Sequence, residues 1–290
     1  MKIGAMYPQY EMGAAPDDLR RFAVGVEAAG FDYLSFPDHV VSWSVNRDPP
    51  VPDMFNERDK WQDPFTVFGF LAAITQRIEL HTGIFVLPQR PTALVARQAA
   101  DVDLLSGERL CLAVGLGWNY AEYDALGQDY HKRGRRADEQ IPLLRRLLCG
   151  EMVSFAGEFD RMFDVCLNPA PRRQIPIWMG GMTEPAYKRA AKLGGGFVFE
   201  GDFEIAKSKA ERVLDYLDAE NRPRDGFALE MMTASLDRTK HAGPQPSIDH
   251  LRRWRDWRGT HGSIASTEQG LQTIEQHLDF QIQVRDQILS

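Results

Sequence analysis

A (β/α)8 barrel is the fold class this sequence predicts, from three observations. Short apolar strands alternate with longer amphipathic stretches along the whole chain. The stretches between strands are too long for hairpins, so neighbouring strands must pair in parallel. The alternation reaches eight strand–helix units within 290 residues, a length that one α/β barrel commonly fills. An open doubly wound sheet would show the same alternation, and the count favours closure. One catalytic domain over residues 1–290 is expected, with an insertion at about 151–175 after the fourth helix.

The elements follow in order. Lys2 to Met6 reads as the first strand, and Leu19, Phe22, Ala23 and Val26 mark the buried face of the first helix, which Gly30 ends. Tyr33 to Phe36 is the second strand. Asp63-Pro64 opens the next helix as N-cap and first-turn proline, and Ile78 to Ile84 is the third strand. A helix from Pro91 to Leu105 is closed by Gly107, and Leu110 to Val114 is the fourth strand, bounded by Gly115 and Gly117. Ala137 to Leu148 is the fourth helix. Glu151 to Arg173 breaks the rhythm with scattered aromatics, prolines and glycines. The pattern then resumes, with strands at Pro176 to Met179, Gly196 to Phe199, Phe227 to Thr233 and Gly262 to Ala265. Their helices run over Thr183 to Leu193, Phe203 to Ala219, Ile248 to Trp257 and Gly270 to Leu289.

Composition excludes several function classes. With 43% hydrophobic and 26% charged residues and no apolar run long enough to cross a bilayer, no membrane span is expected. The start, MKIGAMYPQY, lacks the apolar stretch of a signal peptide, so the mature chain is expected to begin at Met1. A net charge of -7 argues against nucleic acid or an anionic membrane as partner. The basic runs Lys132 to Arg136 and Arg252 to Arg258 are interrupted by acids and aromatics and read as solvated helix faces. Cys111, Cys149 and Cys166 are too widely spaced for a disulfide framework or a CxxC motif, which suits reduced thiols in a cytoplasmic protein. The histidines form no HExxH motif, and Gly262-Ser263 is not a GxSxG elbow, so neither metal nor serine catalysis is supported.

In such a barrel, chemistry belongs at the C-terminal ends of the strands. Four stations lie there. Pro37-Asp38-His39 follows the second strand and offers an imidazole, the side chain best suited to exchange protons near neutrality, with Asp38 to orient or charge it. The plain alternative is a turn-capping aspartate beside a loop histidine. The long loop from Val40 to Asp63 carries Trp43, Phe55 and Trp61, a length and composition that suit one wall of a substrate pocket. In Thr82-Gly83-Ile84, a glycine within a β-branched strand signals a bulge or a close approach to a ligand, or only close packing. Gly115-Leu116-Gly117-Trp118-Asn119, with Glu122 beyond, is not GxGxxG, because position 120 is Tyr; nicotinamide binding is unsupported. Gly180-Gly181-Met182-Thr183 leads into a helix, and its backbone N–H groups suit a phosphate, unless it is simply a cap.

Together these stations resemble the luciferase-like superfamily, of the bacterial-luciferase-like barrel type, and more closely its coenzyme F420-dependent oxidoreductases. The resemblance runs through Phe36 to Val40, Thr82 to Ile84, Ala113 to Asn119 with Glu122, Arg136 with Glu139, Pro176 to Gly181, and Arg189 to Ala191. It implies a deazaflavin ring in the barrel mouth beside Asp38, His39, Thr82, Gly83, Ile84, Gly115, Gly117, Trp118 and Asn119. Its phosphate would lie near Gly180, Gly181, Met182 and Thr183. The resemblance also implies a non-prolyl cis peptide at Gly83-Ile84, His39 as the proton-moving residue, Asp38 as its tuner, and Trp43 as an active-site tryptophan. A small organic substrate and a homodimer are implied as well. One departure concerns substrate: the sugar-phosphate dehydrogenases of this branch carry a glutamate where this chain has Trp118, so the resemblance does not extend to a sugar phosphate. The rival expectations are an FMN-dependent monooxygenase and a barrel that binds a flavin without turnover.

Overall fold

The computed structural model describes residues 1–13, 15–47, 55–233 and 243–290. The strands are β1 (Lys2–Met6), β2 (Tyr33–Phe36), β3 (Glu79–Thr82), β4 (Phe85–Val86), β5 (Leu110–Gly115), β6 (Val153–Ala156), β7 (Arg161–Val165), β8 (Ile177–Gly180), β9 (Gly196–Glu200), β10 (Ala228–Met232) and β11 (His261–Ile264). The helices are α1 (Gln9–Met12), α2 (Pro16–Ala28), α3 (Pro64–Ile74), α4 (Thr92–Ser106), α5 (Tyr120–Ala125), α6 (Arg133–Leu148), α7 (Glu184–Leu193), α8 (Phe203–Ala219), α9 (Gln245–Trp257) and α10 (Ile274–Leu289).

Eight parallel strands close into a barrel in the order β1-β2-β3-β5-β8-β9-β10-β11, with β11 pairing back onto β1 and β3 pairing β5. Each seam is set by register, for example Lys2 opposite His261 and Leu80 opposite Leu110. The short β4 continues the third strand after a break and pairs β5 through Phe85 opposite Val114. Apolar side chains on the outer face of the strands, such as Ile3, Leu34, Leu80 and Leu112, pack under the helices, where Phe22, Leu71, Val95 and Leu144 are fully buried. Burial of that kind stabilises by about 25 cal/mol per Å² of apolar surface, and it holds the ring of helices on the barrel.

The barrel interior is not purely apolar. Met6, Ala113, Trp178 and Val198 form an inner cluster. Also inside the barrel, the Tyr33 hydroxyl donates to Glu230 at 2.9 Å, and the Tyr33 ring stacks on His81 at 4.2 Å. Burial pushes the Glu230 carboxyl above its ordinary range, with His81 opposing.

Local chemistry explains most boundaries. Asp63 caps α3 by accepting from Thr66 N, Asp202 caps α8 by accepting from Ile205 N, and Gly107 ends α4 in the left-handed region at φ 71. The last helix starts at Ile274 and not at Gly270, because Thr273 and Gln276 form a reciprocal capping box that sets its first turn. The fourth helix starts earlier than its apolar face, at Arg133. The segment expected as an insertion after that helix contains the antiparallel pair β6 and β7, whose turn is held by Glu139 accepting from the backbone N–H groups of Glu158, Phe159 and Asp160. Among the described residues no helix is long and apolar enough to cross a membrane.

Candidate active site

The C-terminal ends of β2, β3, β5 and β8 meet at one mouth of the barrel and bring the four sequence stations together. His39 follows β2. Its Nδ1 lies 3.2 Å from both carboxylate oxygens of Glu122, in the first turn of α5, and its side chain is 12% exposed against 1% for Glu122. Glu122 also accepts from Val40 N at 2.8 Å and from Gln89 Nε2 at 3.4 Å. Burial alone would raise the Glu122 carboxyl, but the hydrogen bonds and charge supplied by His39 and the Val40 N–H outweigh it and hold the group below its ordinary range. An ionised carboxylate facing Nδ1 fixes that nitrogen as the protonated one in the neutral ring, so Nε2 is the nitrogen left to exchange a proton.

Asp38, expected beside the imidazole as its tuner, meets His39 through charge alone and accepts its hydrogen bonds from other partners. Its two oxygens are taken up by Arg90, with Nη1 and Nη2 each donating at 2.7 Å, and by Val86 N at 2.9 Å. The pair ties the end of β2 to the segment after β4, a bidentate geometry that holds backbone as much as charge. Thr82 is likewise engaged inside the wall: its hydroxyl donates to the Ala113 carbonyl at 2.7 Å and joins β3 to β5.

The Gly83–Ile84 peptide bond is cis. Ile84 spans the floor of the mouth between two glycines: a Cβ on Gly115 would lie 2.9 Å from Ile84 Cγ2, and one on Gly180 2.8 Å from Ile84 Cδ1. A side chain at either position would press on Ile84, so the two glycines leave this part of the mouth to the Ile84 side chain and to backbone. Beyond Gly180, Gly181 has φ 147, Met182 and Thr183 are exposed, and Thr183 is the N-cap of α7. The one acid of that turn, Glu184, faces away, bound to Arg212 Nε at 2.7 Å and to the Tyr216 hydroxyl of α8. Its charge therefore does not oppose an anion at the turn. Asn119 caps α5 through Oδ1, while its buried Nδ2 has no acceptor.

Aromatic rings surround His39. Phe55 stacks on the imidazole at 4.7 Å, Trp61 lies at 4.6 Å and Trp118 at 6.4 Å, and Trp43 meets Trp118 edge-on at 5.2 Å. Trp43 is buried and pinned by a bridge to Asn56, whereas Trp118 is 39% exposed at the opening. Phe55 sits in the left-handed region at φ 57, an uncommon conformation for a bulky residue. Of the long loop expected as a pocket wall, residues 48–54 lie outside the described residues.

Sequence reasoning named Glu122 only as a companion of the glycine turn and missed Arg90 altogether. The signal for Glu122 was present: Asn119 and Glu122 stand in N-cap and N3 positions, a spacing that usually turns the acid back onto its own helix start. Here the acid reaches across to His39 and Val40 instead. Among the described residues no cluster of metal-ligating side chains is found.

A profile of the luciferase-like monooxygenases matches residues 1–236. The chain belongs to that family. An uncharacterised protein of Mycobacterium tuberculosis is 35% identical over 200 residues, 66% of this chain and 69% of that one. The pyrimidine monooxygenase RutA of Allorhizobium ampelinum is 29% identical over 185 residues, covering 61% of this chain and 50% of its own. The F420-dependent glucose-6-phosphate dehydrogenase of Tsukamurella paurometabola is 27% identical over 191 residues, covering 63% and 53%. Among solved structures, the monooxygenase RslO1 from Streptomyces bottropensis superposes with a TM-score of 0.80 at 19% identity, covering 100% of this chain and 99% of its own. An F420-dependent secondary alcohol dehydrogenase superposes at 0.79 and 15% identity, covering 99% and 98%. This luciferase-like barrel thus stands among relatives that use different redox chemistry.

Proposed function

We propose that this luciferase-like protein is a coenzyme F420-dependent oxidoreductase that moves a hydride between the deazaflavin and a small organic substrate. The observation that carries the reading is the His39–Glu122 pair: a carboxylate buried to 1% exposure holds Nδ1 and leaves Nε2 as the proton-exchanging atom at the barrel mouth. Hydride addition to a C=O or an activated C=C leaves a negative oxygen or carbon that needs a proton, and a positioned imidazole is the group suited to deliver it. The residues present fit a planar redox ring with a phosphate-bearing tail. Gly115 and Gly180 add no side chains beside Ile84 on the floor, Asn119 Nδ2 offers an unmatched donor, and the turn from Gly181 to Thr183 offers backbone N–H groups at a helix start.

When bound, the deazaflavin would supply or accept the hydride at C5, while the chain's own residues orient the substrate, exclude water and handle the proton. Glu122 orients His39 through Nδ1. Arg90 and Asp38 hold the β2 end on which His39 sits. The aromatic wall of Phe55, Trp61, Trp118 and Trp43 favours a flat, conjugated substrate.

The rival is an FMN-dependent monooxygenase, favoured by the RutA relative at 29% identity. Equilibrium binding of oxidised F420 and of FMN to the purified protein, side by side, separates the two. Micromolar or tighter F420 binding with far weaker FMN binding supports the proposal. The reverse preference, with oxygen consumed on reduction, overturns it.

A further inference from the structure

One group at the rim of the mouth is used neither by the His39–Glu122 pair nor by the cofactor floor. Arg47 stands in the turn that follows Trp43, its backbone N–H bonded to the Ser44 carbonyl at 3.0 Å. Its guanidinium lies over the Tyr120 ring, 5.2 Å from the centroid. Within the described residues it has no carboxylate partner. The buried Nε of Arg47 and the buried hydroxyl of Tyr120 both lack a hydrogen-bond partner, and so does the indole Nε1 of Trp43, a residue 4% exposed. A half-buried cation and two buried neutral donors without acceptors are costly to keep unless something supplies the acceptors. Tyr120 begins α5, two residues beyond Trp118, and the Trp118 ring contacts both Trp43 and His39.

We propose that Arg47 and Tyr120, with Trp43 as an additional donor, form a carboxylate-binding subsite for the substrate. The substrate is then a flat conjugated acid whose reacting carbon lies at His39 and whose carboxylate is anchored at Arg47 and Tyr120; this identification of the ligand as substrate rests on the proposed function. A carboxylate fits better than a phosphate. One guanidinium offers a single compensating charge and a planar fork of donors, matching a planar monoanion, whereas a phosphate dianion would call for a second cation or a cluster of backbone N–H groups.

The test uses the intact protein, loaded with whichever of F420 and FMN it binds, titrated calorimetrically with cinnamate and with its neutral isostere cinnamamide. The expected result is at least tenfold tighter binding of cinnamate, weakening as salt is raised. Arg47→Met should bring the ratio close to one, mainly by weakening cinnamate. Tyr120→Phe, which removes only the hydroxyl, should lower the ratio several-fold and serves if the arginine variant folds poorly. Equal affinity of the native protein for the two compounds, absence of cinnamate binding, or a preference that survives in Arg47→Met overturns the proposal. Cofactor loading and ligand preference are read separately, so a wrong cofactor assignment and a wrong subsite give different results.

Discussion

Replacing Glu122 by glutamine isolates the step on which the proposed chemistry depends. The substitution keeps the shape and one acceptor oxygen but removes the charge that faces His39 Nδ1 at 3.2 Å. At an effective dielectric of about 20, a full charge pair at that separation interacts by about 5 kcal/mol, which is an upper bound. Partial exposure of the imidazole and the remaining hydrogen bond, worth about 1 kcal/mol, reduce the loss to about 2–4 kcal/mol. That corresponds to a fall in rate of roughly 30- to 1,000-fold for any step that passes through the imidazolium. The amide NH2 also favours the opposite tautomer, with the proton on Nε2. Two measurements check this: the single-turnover rate with an α,β-unsaturated carbonyl acceptor, and the 15N chemical shifts of labelled His39, which report its tautomer without any substrate. Cofactor affinity should stay within a few-fold, because Glu122 faces the histidine and the β2 end. A rate within threefold of the native protein, with the tautomer unchanged, would refute the reasoning.

Three further outcomes are expected. Asp38→Asn leaves the Arg90 guanidinium without its bidentate partner in a site where Asp38 is 2% exposed, and should cost about 3–5 kcal/mol in denaturant-unfolding stability; a change below 1 kcal/mol would show the pair to be dispensable. Gly180→Ala drives a methyl against Ile84 Cδ1, for which about 1–3 kcal/mol of overpacking is expected along with weaker cofactor binding, and Ile84→Ala in the same chain should restore much of both. Additivity of the two substitutions would argue against direct contact. Burial lowers the His277 pKa from 6.5 to about 4. The folded protein thus keeps this imidazole neutral while the unfolded chain takes up a proton below pH 6.5. Stability from this group is full above pH 6.5 and is lost as pH falls toward 4, by about 2 kcal/mol once screening is allowed for. His277→Asn should flatten that part of the stability–pH curve, as followed by thermal melts from pH 7 to 4.

Much of the architecture was legible in the chain alone, because barrel strands buried on both faces read as apolar runs and the helices between them carry their own caps. Asp63-Pro64, Gly107 and the span Phe203–Ala219 are local signals, set by backbone dihedrals and first-turn hydrogen bonds, and they mark element ends without reference to the rest of the fold. Where the boundary depended on a reciprocal side-chain pair, as at Thr273 and Gln276, periodicity alone overshot it by a turn. The interior polar contact of Tyr33 with Glu230 joins residues 197 apart in sequence, and no pattern within either strand foretold it.

The same division holds at the site. The sequence by itself determined which residues stand near strand ends: His39 after β2, Ile84 closing the third strand, the glycine turn at β5 and Gly180 at β8. What only the tertiary structure decided was pairing. Adjacency in sequence suggested Asp38 as the partner of His39, yet neighbouring side chains on an extended segment point in opposite directions, and closure of the barrel turned Asp38 toward Arg90 and His39 toward Glu122. Those partners lie 52 and 83 residues away in the chain. Local sequence constrains backbone conformation, whereas the partner of a buried charge is settled by what the folded barrel brings within hydrogen-bonding distance.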